Sequence, residues 1–328
     1  MDLSTTYLGL KLRNPIVVSS SSLCDSLDKL KTLEEAGAGA VVLKSLFEEQ
    51  IILEQERIEE TTTAGSHSFP EASSYFADIP LELGPQQYVA LVGEAKKALK
   101  IPVIASLNCV GTGTWVDYAR QIEQAGADAL ELNIYFVPTD PSRTSAQIEG
   151  TYLEIIEQVR KTVRLPIAVK LSPFFTSIPH MVAEIASRGI EGVVLFNRFY
   201  QPNLDLEELR TASQLHLSRP EDCLLPMRWI ALLHGRVKMD FAATTGIHDG
   251  KSALKVLLAG ANVAMVCSVL FKHKAQYLGV MLREIEAWLK EKEYETVNEI
   301  RGILSQKTCP DPEAFERAQY IKILVGHD

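Results

Sequence analysis

The chain has 328 residues, of which 46% are hydrophobic and 23% are charged, and this balance excludes an intrinsically disordered protein. The 33 basic and 42 acidic residues give a net charge of −9, and no basic run indicates a nucleic-acid-binding face. No apolar stretch is long enough to span a membrane and no secretory signal is visible, so we expect a soluble, cytoplasmic protein. The five cysteines include no C-x-x-C pair, so we expect neither a disulfide framework nor a metal site.

Short runs of β-branched and other apolar residues recur eight times, and each run is continuous rather than alternating. A strand that is buried on both faces requires this pattern. The runs are Pro15–Ser20, Ala40–Ser45, Pro102–Leu107, Ala129–Ile134, Pro166–Ser172, Gly192–Asn197, Asp240–Gly246 and Ala264–Val269. Segments with helical periodicity separate most of them, namely Leu27–Ala36, Trp115–Ala125, Ile148–Val163, Pro179–Ser187 and Lys251–Ala259.

The strand count and spacing predict a (β/α)8 TIM barrel, because four gaps between strand starts measure 24 to 27 residues, the length of one strand–helix unit. An open doubly wound sheet is the alternative, but Val18–Leu23 after the first strand lacks the glycines typical of that fold. The wide gaps Leu46–Ile101 and Arg198–Met239 predict long loops after strands two and six that cover the C-terminal mouth of the barrel.

The two ends of the chain are predicted to pack onto the barrel rather than to form separate domains. Residues 1–14 predict an N-terminal hairpin that closes the barrel floor, and residues 270–328 predict a helical C-terminal tail without a further strand. The whole chain, 1–328, is therefore expected to form a single barrel domain.

Polar side chains stand at the predicted C-terminal end of every strand, where the strands of a barrel converge on one site. Two of them, Lys44 and Lys170, follow apolar runs and need an anion or an acceptor if they are buried. A carboxylate such as Glu131 is the structural alternative for each lysine. Lysines and asparagines at one mouth suit a planar, electron-accepting heterocycle, since a nearby cation stabilises the negative charge that reduction adds to the ring.

The ends of strands seven and eight predict a phosphate site. Thr245 and Gly246 precede a predicted helix, and Ser268 ends the last strand. Barrels often bind phosphate after strands seven and eight, at the N-terminus of a helix. An ordinary strand-to-helix turn is the alternative reading of the same residues.

The chain resembles the class 1 dihydroorotate dehydrogenases, which are FMN-dependent TIM barrels of pyrimidine synthesis, and still more the dihydroorotate dehydrogenase-like proteins of bacteria. The motifs that carry the resemblance follow one another along nearly the whole chain. They are Gly9–Pro15 (GLKLRNP), Val42–Ser45 (VLKS), Leu130–Asn133 (LELN), Val169–Pro173 (VKLSP), Asn197, Thr245–Ile247 (TGI) and Ala259–Ala261 (AGA).

The resemblance implies an FMN cofactor and assigns residues to it by position. The residues that match family contacts to the flavin are Ser20, Lys44, Asn133, Lys170 and Asn197, and those that match the phosphate cradle are Gly246 and Ser268. The strand-end residues Ser45, Asn108 and Thr245 complete the predicted cofactor-binding set. The resemblance also implies a homodimer. It leaves the electron acceptor open among a ferredoxin, an iron–sulfur flavoprotein subunit as a partner, and a small molecule such as fumarate.

The sequence departs from the family at the catalytic loop. The family reads Asn-Leu-Ser-Cys-Pro-Asn there, whereas this chain reads Asn133–Pro138 (NIYFVP), so Phe136 replaces the catalytic base. Tyr135 is a candidate substitute, although a phenol normally titrates near 10 and is a poor base. The predicted catalytic set is therefore Lys170, Tyr135 and Asn133. The cradle also has fewer glycines than the family, and Ser74–Asp78 stands where the family has its asparagine-rich substrate loop.

Three functions are compatible with these features. The first is an FMN-dependent oxidoreductase acting on a CH–CH bond, which by resemblance converts dihydroorotate to orotate. The second is a related FMN oxidoreductase for a larger or more apolar substrate, whose pocket would be lined by Phe76, Tyr135, Phe136, Phe199 and Tyr200. The third is a barrel without catalytic activity that serves as a binding or partner subunit. The sequence leaves the substrate and the electron acceptor open.

Overall fold

Eight parallel strands form a closed barrel in the computed structural model, which describes residues 1–54, 83–109, 113, 115–198, 200–212 and 215–326. The strands are β1 (Ile16–Val18), β2 (Ala40–Val42), β3 (Val103–Cys109), β4 (Ala129–Ile134), β5 (Ile167–Leu171), β6 (Gly192–Leu195), β7 (Asp240–Thr244) and β8 (Val263–Val266). Each strand pairs with the next in parallel, and Ala264 of β8 pairs with Ile16 of β1. The predicted TIM barrel is confirmed, and the open-sheet alternative is wrong.

A helix follows each strand along the chain. The helices are α1 (Leu27–Glu35), α2 (Pro85–Ala98), α3 (Trp115–Ala125), α4 (Ser145–Thr162), α5 (Ile178–Ser187), α6 (Leu224–Leu233), α7 (Gly250–Ala259) and α8 (Ser268–His273). Helix α2 is not among the helices predicted from the sequence, although Gly84 and Pro85 mark its start. Its buried face, which includes Tyr88, Leu91 and Val92, has the spacing of an amphipathic helix.

The long loops after β2 and β6 are confirmed and carry structure of their own. In the first loop the short strand Leu46–Phe47 pairs with β3, and residues 48–54 are helical. The predicted substrate-loop segment Ser74–Asp78 lies outside the described residues. In the second loop Asn203–Asp205 pairs with Arg210–Ala212 as an antiparallel hairpin.

The N-terminal hairpin closes the barrel floor as predicted. Thr5–Tyr7 pairs with Leu10–Leu12, and Tyr7, Leu8 and Leu12 are buried against the small inward-facing side chains of the strands. The backbone N–H of Leu8 donates to Asp240 Oδ2 at 2.7 Å, at the start of β7. The hairpin therefore fills the end of the barrel that lies opposite the C-terminal strand ends.

The helical tail is also confirmed. After α8 it contains α9 (Tyr277–Glu291), α10 (Val297–Ile300) and α11 (Arg317–Val325). Backbone hydrogen bonds of 2.9 Å join Leu304 to α7 and Gln306 to α6, so the tail holds two of the barrel helices together. None of the helices in the described ranges combines the length and apolar character that a membrane crossing needs.

Candidate functional site

A cavity of about 280 Å³ opens at the C-terminal mouth of the barrel. Nine of the ten predicted cofactor-binding residues line it: Ser20, Lys44, Ser45, Asn133, Lys170, Asn197, Thr245, Gly246 and Ser268. These residues are far apart in the sequence and come together because parallel strands end at the same edge of a barrel. The structure thus brings these nine predicted residues together around one cavity.

Strand register aligns one wall of this cavity. Asn133 on β4 lies beside Lys170 on β5, and it also lies beside Asn108 on β3. The amide Nδ2 of Asn197, just after β6, donates to Asn133 Oδ1 at 2.6 Å. Asn108 is buried and does not line the cavity, whereas Phe47, which pairs with it on the added short strand, does.

The side chain of Lys170 lies between a buried carboxylate and the cavity. Its Nζ is 3.5 Å from Glu131 Oε1, and the two side chains are 8% and 1% exposed. Glu131 Oε2 has no hydrogen-bond partner among the described residues. The carboxylate partner considered from the sequence is therefore present, yet Lys170 also lines the cavity, where its other N–H groups can meet a ligand.

Hydroxyl groups form a second wall. Ser20 Oγ lies 3.0 Å from Ser45 Oγ, which lies 2.8 Å from Ser106 Oγ inside the barrel. Lys44, just after β2, lines the cavity next to them. The wall therefore offers hydroxyl donors and acceptors together with a cation.

A tight turn follows β7 on the opposite side of the cavity. Thr245 and Gly246 both adopt left-handed backbone conformations, with φ of 77° and 78°. A Cβ on Gly246 would lie 2.1 Å from the backbone nitrogen of Cys223, so only glycine fits there. Thr245 is β-branched and strained in this conformation, and its hydroxyl donates to the carbonyl of Phe196 at 3.3 Å.

Ser268 begins α8 rather than ending β8, because the strand stops at Val266. Its hydroxyl oxygen accepts a hydrogen bond from the backbone N–H of Ser218 at 3.0 Å. The hydroxyl of Ser218 lies 3.0 Å from Nε2 of His248, and burial, reinforced by the positive charge of Lys272, lowers the pKa of His248. Ser218 is not predicted from the sequence, because it reaches the site from a loop and belongs to no motif.

A second cavity of about 670 Å³ adjoins the first. Its aromatic lining consists of Phe136, Tyr152, Phe174, Phe175 and Tyr200, and Tyr200 lines both cavities. The ring of Phe136 packs against Tyr152 with 5.0 Å between centroids, and it does not line the first cavity. Tyr135 lines neither cavity, so its catalytic role stays a prediction. The other two predicted pocket residues, Phe76 and Phe199, lie outside the described residues.

The charges on the first cavity have one sign. Lys44, Lys170 and Arg198 line it, whereas no carboxylate and no histidine does so among the described residues. The described chain also brings together no group of three or more His, Cys, Asp or Glu side chains that could hold a metal ion. The lining of amide, hydroxyl and cationic donors fits an anionic, electron-accepting ligand.

Comparisons with known proteins point the same way. The family model described as "Dihydroorotate dehydrogenase" matches residues 82–289. Over 92% of its length the chain is 26% identical to the dihydroorotate dehydrogenase B (NAD(+)) catalytic subunit of Endomicrobium trichonymphae, covering 96% of that protein. It is 25% identical to the corresponding subunit of Thermoplasma volcanium, covering 98% of it. It is 24% identical to the chloroplastic dihydropyrimidine dehydrogenase (NADP(+)) of Arabidopsis thaliana, covering 76% of it.

Proposed function

Because the chain belongs to the dihydroorotate dehydrogenase family, we propose that it is an FMN-dependent oxidoreductase that acts on a CH–CH bond of a small dihydropyrimidine-type ring, such as dihydroorotate. One observation carries the proposal: the buried ammonium of Lys170 lies beside the paired amides of Asn133 and Asn197 at the barrel mouth. In this proposal residues 1–328 form one FMN-binding barrel.

The residues of the first cavity fit FMN. Its donors are hydroxyl, amide and cationic groups, and the orphaned guanidinium nitrogen Nη1 of Arg198 adds one buried donor without a partner among the described residues. The residues that would hold the cofactor are Ser20, Lys44, Ser45, Asn133, Lys170, Asn197, Thr245, Gly246 and Ser268. When bound, FMN supplies a ring that accepts a hydride and passes its electrons on.

The side chains of the first wall have separable roles in this proposal. The ammonium of Lys170 stabilises negative charge that arises next to it, and Glu131 holds that ammonium in place. The hydrogen bond between Asn197 and Asn133 fixes the orientation of both amides, so that their remaining donors and acceptors face a ligand in one arrangement. Phe136 has no atom that accepts the substrate proton, and Tyr135 is the proposed acceptor.

The second cavity favours one alternative, a related FMN oxidoreductase that acts on a larger, more apolar substrate. The rings of Phe136 and Tyr152 pack against each other in that cavity at an interplanar angle of 37°, and Tyr200 lines both this cavity and the first. Such a substrate would extend from the first cavity across Tyr200 onto the aromatic side chains.

The partners belong to the same proposal. Two of the relatives are named catalytic subunits, which supports an electron-transfer partner such as a ferredoxin or an iron–sulfur flavoprotein subunit. We further propose that the protein is a homodimer in the cytoplasm.

Absorbance spectroscopy and anaerobic reduction test the proposed function. We expect a yellow protein with flavin bands at about 370 and 450 nm, and we expect dihydroorotate or dihydrouracil to bleach the longer-wavelength band. A bound flavin that neither compound reduces would favour the alternative with a larger substrate. A colourless protein that takes up no added FMN would contradict both and would indicate a barrel without catalytic activity.

A further inference from the structure

Arg198 has an unusual environment at the mouth of the barrel. It follows Asn197 after β6 and lines the first cavity together with Lys44 and Lys170. Its guanidinium carbon lies 5.6 Å from the ring centroid of Tyr200, which orients the planar group. Nη1 of this guanidinium is buried and has no hydrogen-bond partner among the described residues.

An unpaired guanidinium donor is unfavourable in a buried position. Buried polar groups in proteins are almost always hydrogen-bonded, and charged ones are normally paired. The described residues that line this cavity provide no carboxylate that could pair with Arg198. Glu221 and Asp222 line a neighbouring cavity together with Arg198, but Nη1 of Arg198 has no hydrogen bond to either carboxylate. Lys170 differs in this respect, because Glu131 lies behind it.

The shape of the donor indicates which acceptor it suits. The planar fork of an arginine matches the two oxygens of a carboxylate or a phosphate, which it binds through parallel hydrogen bonds. Tyr200, over which the guanidinium lies, lines both cavities, so Arg198 stands at the junction between them. The turn at Thr245 and Gly246, predicted to hold phosphate, follows a different strand, β7.

We propose that Arg198 binds an oxyanion in the first cavity, that this oxyanion is the carboxylate of the substrate, and that Arg198 thereby selects anionic over neutral substrates. The inference rests on the proposed function and narrows its range of substrates to rings that carry an anionic group. Dihydroorotate carries a carboxylate that dihydrouracil lacks. If Arg198 binds this carboxylate, the protein acts on dihydroorotate in preference to dihydrouracil. It is a specificity-determining residue for an anionic substrate.

Isothermal titration calorimetry with matched ligand pairs tests this proposal. Orotate against uracil and benzoate against benzamide each differ by one anionic group, and both pairs are titrated into the FMN-loaded protein. We expect the original protein to bind the anionic member of at least one pair about 10- to 100-fold more tightly, the range of a charge-assisted hydrogen bond. Arg198→Met should abolish this preference, and Arg198→Lys should retain part of it.

Arg219→Met is the matched control, because it removes an exposed positive charge from the loop that brings Ser218 to the site. It should keep the preference for anions, and thermal melting of all three variants shows whether each is folded. The proposal is overturned if the original protein prefers neither anion, or if the Arg198→Met protein keeps the full preference.

Two further titrations separate the possible sources of the oxyanion. FMN and riboflavin, which differ by the phosphate, are titrated into the apoprotein of each variant. If Arg198→Met weakens FMN but not riboflavin and leaves the anion preference intact, the oxyanion is the cofactor phosphate and the assignment to substrate is wrong. If the protein binds no FMN at all, the proposed function fails, whereas the same ligand pairs titrated into the apoprotein still decide the role of Arg198.

Discussion

The two sides of the first cavity are built by different means. On the side of β4 to β6, Asn133 and Lys170 are fixed by strand register, and Asn197 is tied to them by a 2.6 Å hydrogen bond. On the side of β7 and β8, Thr245 and Gly246 form a left-handed turn, and contacts from a distant loop complete the wall. We call these the strand side and the turn side.

This difference determines what each side depends on. On the strand side the side chains carry the chemistry, and the backbone is a regular parallel sheet that many sequences can form. On the turn side the conformation of the backbone shapes the cavity wall, and this conformation depends on residues that tolerate positive φ. Substitutions should therefore act on the strand side through charge and on the turn side through conformation.

Lys170→Met should have the largest effect, because it leaves the carboxylate of Glu131 buried without a partner. Loss of one member of a buried ion pair costs about 3–5 kcal/mol of unfolding free energy. The rate of flavin reduction by substrate should also fall at least about 100-fold, as expected when a preorganised charge is removed. Urea denaturation and anaerobic stopped-flow measure the two effects.

The double variant Lys170→Met/Glu131→Gln is the control for charge. It should recover part of the lost stability, since no charge is then buried, but none of the lost rate. Equal stability of the single and double variants would mean that charge does not control the strand side.

Gly246→Ala should be the most damaging change on the turn side, with a loss of about 3 kcal/mol of unfolding free energy. It combines an unfavourable φ of 78° with a Cβ only 2.1 Å from a backbone nitrogen. Gly9→Ala separates the two contributions, because Gly9 has a φ of 74° but nothing within 4 Å of a Cβ. It should lose only about 1 kcal/mol. Similar losses in both variants would show that the contact with Cys223 is unimportant.

Thr245→Gly should stabilise the fold by up to about 1 kcal/mol, because relief of a strained left-handed conformation outweighs one neutral hydrogen bond. Thr245→Ala should instead destabilise it by about 1 kcal/mol, since the strain stays and the hydrogen bond to Phe196 is lost. Thermal unfolding compares the two. The glycine variant should also bind FMN more tightly with little change for riboflavin, and a loss of FMN affinity would count against a phosphate site at this turn.

The smallest effect concerns the pH dependence of stability. The pKa of His248 is lowered by burial and by Lys272, so the unfolded chain takes up a proton first as the pH falls below about 6.5. Neutral His248 therefore makes its full contribution to the free energy of unfolding above about pH 6.5. This contribution decreases as the pH falls from there towards the pKa of His248 in the folded protein, which is lower. His248→Gln should flatten the stability curve in this window.

His234 is the matched histidine, since burial also lowers its pKa but it caps α6 next to the start of β7. Added FMN should alter the contribution of His248 and leave that of His234 unchanged. An equal response of both histidines to FMN would remove the proposed link between His248 and the turn side.

The strand side could be predicted from sequence because it obeys a local rule. A polar residue at the end of a buried apolar run lies at the barrel mouth whatever the loops do, which is why Lys44, Asn133 and Lys170 line the cavity as expected. Asn108 stands at the end of a strand in the same way but does not line the cavity. The residue paired with it, Phe47, does line it, and Phe47 lies on a short strand that no sequence pattern indicates.

The turn side and the aromatic cavity depend on tertiary packing and could not be predicted in the same way. Ser218 comes within 3.0 Å of Ser268 from 50 residues away, through a loop without periodicity. The direction of the Phe136 ring depends on Tyr152, which lies on α4. The unpaired donor of Arg198 becomes visible only when all of its neighbours are in place.

The N-terminal hairpin at the barrel floor has a consequence for the order of folding. Leu8 is bound to Asp240, Thr6 accepts a hydrogen bond from Asn262, and Ser4 accepts one from Asn298. All three partners belong to the last third of the chain. At about 5–20 residues per second, a ribosome needs roughly 10 to 50 seconds to pass from the hairpin to Asn262. The apolar side chains of the hairpin must wait that long for their native partners, so this segment is where we expect the nascent chain to need a chaperone.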